Sequence, residues 1–184
     1  MWSSKDVACI ICMAALSFVS TVLVGQMATL ITGLHGANYC LTIIYAILTG
    51  FSMLIYEGRR WRFLTQYSIF TLLIIPTHLS GSPFALPTKF HFMLTAFVID
   101  LLFNTFYKTA RSRGKMMLWS VSGVTLFYLL MPSFSLLIRP LFYSPEAVAV
   151  FANMVLMLLP VIIVESIVGG YLGYKIHRRL RKEC

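Results

Sequence analysis

Six apolar runs, at positions 7–32, 39–56, 61–75, 90–107, 116–131 and 147–174, take up most of this 184-residue chain. That arrangement leaves few folds open. A bilayer crossing requires about 20 mainly apolar residues, and hydrocarbon offers backbone amides no partner but one another, so each run has to be helical. The third run is short for a crossing; it must tilt little, thin the bilayer, or extend through Trp61 or into the His78 loop. Turn formers mark the breaks: Gly33 and Gly36, Gly58, the stretch from Pro76 to Pro87, Gly114, and the stretch from Pro132 to Pro145.

The fold class expected is therefore an all-α membrane protein, a six-transmembrane-helix bundle that forms one integral domain over residues 1–184. Hydrophobic residues make up 59% of the chain and charged ones 11%, whereas soluble domains carry roughly 25% charged residues. No length remains for a second, soluble domain. The first run follows Lys5 as a secretory signal would, but it continues to about Thr32, well beyond the ~7–15 residues of a signal's apolar core. It is read as a retained span.

The formal charge of +9 does not point to nucleic acid, because the basic residues lie between apolar runs and not along a hydrophilic face. Their distribution sets the orientation. All Lys and Arg except Lys89 and Arg139 fall in the N-terminal segment, the second loop (Arg59, Arg60, Arg62), the fourth loop (Lys108 to Lys115) and the tail from Lys175. By the positive-inside rule, both termini are expected in the cytoplasm, which also requires an even number of spans. The two longer outer loops, from Pro76 to Lys89 and from Pro132 to Ala147, are nearly free of charge and are expected to lie as ordered caps on the bundle.

The runs contain two carboxylates, Asp100 in the fourth and Glu165 in the sixth. A charge at mid-membrane costs at least about 2.5–3.5 kcal/mol, so each must face inward, pair or be protonated. Counted from Lys108 and Lys175, their depths differ by only about 3 Å, and the two are expected to be able to meet and share a proton. They would serve as a proton or cation relay, as a ligand for an amine, as a structural clasp, or as a contact to a partner. Asn104, one turn on, is a neutral partner for Asp100.

The outer half offers Asn38 and Tyr39 in the first turn, His78 in the second outer loop, His91 and Thr95 at the head of the fourth span, and Asn153 in the sixth. Together they are candidates to line a mainly apolar pocket open to the outside. Gly169 and Gly173 form a G-x-x-x-G that lets another helix approach closely, from within the chain or from a partner. Cys9 and Cys12 form a lone C-x-x-C inside an apolar helix; with no second pair they are packing residues and no metal is expected. No nucleophile with a local base, Walker loop or cofactor motif occurs.

The length, the six runs, the long first helix and the ending Glu165-Ser-Ile-Val-Gly-Gly-Tyr-Leu-Gly-Tyr-Lys-Ile-His-Arg-Arg-Leu resemble the membrane-embedded substrate-binding S component of prokaryotic energy-coupling factor (ECF) transporters. The resemblance covers the whole chain in layout. It implies a non-enzymatic subunit of the cell membrane that captures a vitamin or related micronutrient from outside. It also implies as partners a transmembrane coupling subunit and two ATPase subunits, with docking through small residues of the first helix. An A-x-x-x-A is common there; in this chain Ala8 is followed by Cys12. The histidine-led start of the nickel and cobalt members is absent. Two other readings of the residues are a non-catalytic scaffold of a cell-shape or cell-wall complex, and an intramembrane enzyme using Asp100 and Glu165.

Overall fold

A computed structural model describes residues 2–32, 41–78 and 83–183, and helix is the only regular structure among them. Seven α-helices follow one another: α1 (Ser4–Thr32), α2 (Thr42–Ile55), α3 (Arg62–Ile74), α4 (Leu86–Lys89), α5 (His91–Ser112), α6 (Met116–Ile138) and α7 (Pro145–Glu183). Among the described residues, four stretches are long and apolar enough to cross a membrane: Ser4–Gly25, Leu86–Ser112, Met116–Leu141 and Pro145–Arg181. The 14 residues of α2 and 13 of α3 extend about 20 Å each, short of the ~30 Å hydrocarbon layer. By contrast, the 39 residues of α7 reach nearly 60 Å.

Helix boundaries follow local chemistry where a cap is present. Ser144 accepts the Ala147 amide through Oγ at 3.4 Å, Pro145 supplies the first helical residue, and Glu146 sits in the first turn, a combination that suits the orphan amides and positive end of α7. The expectation of a loop from Pro132 to Ala147 is corrected. The α6 helix runs through Pro132 to Ile138 and is followed by a short 3-10 turn, Arg139–Leu141. A proline deprives its helix of one hydrogen bond, here the one to the Tyr128 carbonyl, yet packed membrane helices tolerate this. Beyond it, Arg139 bonds the Ser135 hydroxyl at 3.1 Å and lies 3.7 Å over the Phe151 ring, tying the end of α6 to α7.

The packing order is read from residue contacts. Ile43 meets Glu165, Ala46 meets Gly169, Phe51 meets His177, and Glu57 meets Arg181. Hence α2 runs parallel to α7, and it starts about twenty residues into it. The α6 helix packs antiparallel to both, with Val124 on Gly50 and Ser120 on Gly170. Across the bundle, α3 packs on α1 and α5. A buried aromatic file of Phe63, Tyr67, Phe70, Phe92 and Phe127 fills the centre, with ring centroids 4.7 to 5.7 Å apart. Such tilted and edge-on pairs each add about 0.5–1.5 kcal/mol beyond burial.

The basic segments gather at one end. Asp6 pairs with Arg62 and, at 3.4 Å, with Arg59; Glu57 links Arg59 to Arg181. The first helix, the second loop and the tail therefore share what is called below the basic end.

Candidate functional site

The residues that carry chemistry sort by what the helices need. The α2 helix begins at Leu41 without a capping side chain, so its first amides lack acceptors. Glu165 supplies one from another helix: its Oε2 accepts from the Ile43 amide at 3.2 Å. A carboxylate at the positive end of a helix is favourable, and the bond satisfies a donor that lipid would leave unpaired. One and two turns further on, glycines allow contact. A Cβ on Gly169 would stand 2.4 Å from the Cβ of Ala46 and 2.9 Å from the Ile43 carbonyl, and one on Gly173 would stand 2.7 Å from the Ile47 carbonyl. Partner docking at Gly169 and Gly173 is therefore corrected: both are buried, and α2 already occupies the step.

Asp100 plays the same part for α3. That helix starts after Trp61, whose left-handed φ of 71° turns the chain sharply and which offers no cap of its own. Asp100 Oδ2 accepts from the Leu64 amide at 3.0 Å, and Asn104 bonds the other oxygen. The cavity beside it is only about 10 Å3, room for at most one water.

The two carboxylates do not meet, which corrects the expected pair. Asp100 caps the basic-end start of α3, whereas Glu165 caps the opposite-end start of α2. Thr49 and Tyr67 lie level, joined at 2.8 Å; counting from them, Ile43 and Leu64 differ in height by about 13 Å. Lys108 and Lys175 both lie within helices that continue past them, so neither marks a helix end from which depth can be counted.

Sequence reasoning missed a polar spine. The Thr49 hydroxyl bonds those of Tyr67 and Tyr128 at 2.8 and 3.1 Å, and Tyr56 bonds Gln66, which reaches Ser17 at 3.3 Å. These chains join α1, α2, α3 and α6. It also missed the role of Lys89, which is fully buried and donates through Nζ to the Ile75 and Thr77 carbonyls at 2.7 Å each. A cation at a helix C-terminus is well placed. The available signal was a lone lysine between Pro87 and Phe90 at the head of an apolar run.

Of the proposed pocket residues, Asn38 and Tyr39 lie outside the described residues. His91 and Thr95 are buried and locally bonded: the His91 ring meets the Thr88 carbonyl at 2.8 Å, and the Thr95 hydroxyl donates to the His91 carbonyl at 2.7 Å. His78 and Asn153 are exposed, as are Ala8 and Cys12 on the outward face of α1. Among the described residues, no three His, Cys, Asp or Glu side chains cluster as metal ligands would.

The class these features define is an all-helical protein with four helices, among the described residues, long and apolar enough to cross a membrane, two of which carry a carboxylate that caps a neighbouring helix. No protein-family model, curated protein or solved structure matches the chain.

Proposed function

We propose that this chain is the membrane-embedded substrate-capture subunit of an ECF-type uptake transporter, crossing a prokaryotic cell membrane six times with both ends in the cytoplasm. The observation that carries this is the seat of α2 on α7. The segment from Glu165 to Gly173, part of the ending that contributes to the resemblance, anchors the start of α2 halfway along α7. The first five turns of α7 then have no α2 beside them, and a nutrient is held there, at the end away from the basic cluster. His78 and Asn153 stand exposed on that side. The basic residues on one end support a cytoplasmic placement for it.

Docking to a transmembrane coupling subunit, which works with two ATPase subunits, is assigned to the exposed small step Ala8 and Cys12. What favours capture over the enzyme reading is that Asp100 and Glu165 cap the starts of different helices, each accepting a backbone amide.

Thermal unfolding of the purified chain against a panel of vitamins and related nutrients tests this. A ligand at 100 times its Kd adds about 2.7 kcal/mol, a rise of roughly 5–11 °C for a chain of this size. A complete panel without a shift, together with failure to co-purify a coupling subunit, would overturn the reading. Tags on the two ends, probed from outside intact cells, test the topology: reactivity of one end alone is incompatible with it.

A further inference from the structure

At the basic end, α2, α5, α6 and α7 do not close on one another. They leave a cavity of about 380 Å3, within the range of small-molecule sites. Its floor is buried and apolar to amphipathic, formed by Leu54 and Tyr107, and its rim carries the exposed cations Arg111, Arg178 and Arg181, with His177 half-buried between floor and rim. Three guanidinium groups from two helices thus face one space. The carboxylate of Glu57 is its one acidic neighbour in an ion pair among the described residues, and it is divided between Arg181 at 3.7 Å and Arg59 at 3.8 Å. The cavity therefore keeps a positive excess.

A second feature points the same way. Met116, the first residue of the 23-residue α6, also lines the cavity, and no side chain caps that helix. Its first-turn amides and positive dipole end add to the attraction for an anion. Arginine forks match phosphate oxygens in pairs, and in the topology proposed above a tyrosine-lined cavity at the basic end lies at headgroup depth.

We propose that this cavity is a phosphate-ester site, filled in the membrane by the headgroup of an anionic phospholipid held by Arg111, Arg178 and Arg181. The site stands apart from nutrient capture, and its test reads lipid retention alone. The full chain is purified in mild detergent, stripped of lipid, and titrated with phosphatidylglycerol or phosphatidylcholine under native mass spectrometry. One saturable phosphatidylglycerol per chain is expected, preferred at least about tenfold over phosphatidylcholine. The double variant Arg178→Gln/Arg181→Gln should lose about thirtyfold in affinity, as two cationic contacts at a lipid surface imply. The charge-matched control Arg60→Gln/Arg113→Gln, outside the cavity, should lose less than about threefold.

Equal loss in both doubles, or no preference between the lipids, would overturn the proposal, because diffuse attraction to a basic surface would then account for binding. Inorganic phosphate at millimolar concentration separates the sources. Displacement of phosphatidylglycerol from the parent chain supports a site that reads the phosphate group itself, open to soluble esters. Retention combined with loss in the cavity variant supports the lipid. Should the double variant fail to fold, Arg178→Gln alone carries the test, with a loss of about fivefold expected and none overturning the assignment.

Discussion

Replacing Glu165 separates capping from proton chemistry. In Glu165→Ala the Ile43 amide, 3.2 Å from Oε2, loses its acceptor. A hydrogen bond to a charged group contributes about 1.5–3 kcal/mol. The half-buried position of Glu165 places the loss near about 2 kcal/mol, or roughly 4–8 °C in Tm at this chain length. Glu165→Gln keeps a carbonyl acceptor in place. It forfeits the charge–dipole attraction of about 0.3–1 kcal/mol, but it also removes the cost of holding a charge in the bundle, so its Tm should stay within about 2 °C of the parent. Tryptophan fluorescence during heating, in detergent or nanodiscs, measures both, and hydrogen exchange at Ile43 should quicken in the alanine variant alone. If Gln proves as damaging as Ala, or if Ala leaves the Ile43 amide protected, the capping argument fails.

The same logic predicts that Asp100→Ala costs about 2 kcal/mol through the Leu64 amide while Asp100→Asn costs little; equal melts for the two would count against it. Gly169→Ala gains about 1 kcal/mol of helix propensity but must push α2 away from a 2.4 Å contact. Overpacking of that kind costs about 1–3 kcal/mol, and since the contact is also below any real Cβ separation, a net fall in Tm is expected; an unchanged or higher Tm would mean that α2 is not seated there. Lys89→Met abandons two carbonyls at 2.7 Å and should destabilise by about 3 kcal/mol, read in the same melts, with parent-like stability the refuting result. Tyr128→Phe removes the 3.1 Å bond to Thr49 but leaves Tyr67 in place, so a loss of about 1 kcal/mol is expected, and a loss above about 3 kcal/mol would show that the spine acts as one unit.

Helix positions were legible because apolar length and turn residues speak directly to them. The first run, 7–32, became Ser4–Thr32, and the third, 61–75, became Arg62–Ile74. Helix ends beyond the apolar runs were not legible: α5 and α7 continue through Lys108 and Lys175 because a helix that leaves hydrocarbon can still satisfy its own backbone. Pro132 read as a loop start for the opposite reason, its propensity being overridden by packing on α7. That Asp100 and Glu165 must face inward was readable from the cost of charge in lipid. What they face was not, since Leu64 and Ile43 carry no mark in the sequence and are selected only by how helices settle against each other. The glycine step was visible as a contact surface, while its occupant, α2, followed only from the fold.

The pairing of Ile43 with Glu165 joins positions 122 residues apart, and this bears on how the chain is built. A ribosome delivers α2 long before α7. During that interval the Ile43 amide lacks the Glu165 carboxylate, and the surface of Gly50, Ala46 and Phe51 has no α7 to pack on. The final placement of α2 must wait for the last helix, so nascent chains stopped ahead of residue 165 should remain loosely assembled and open to quality-control proteolysis.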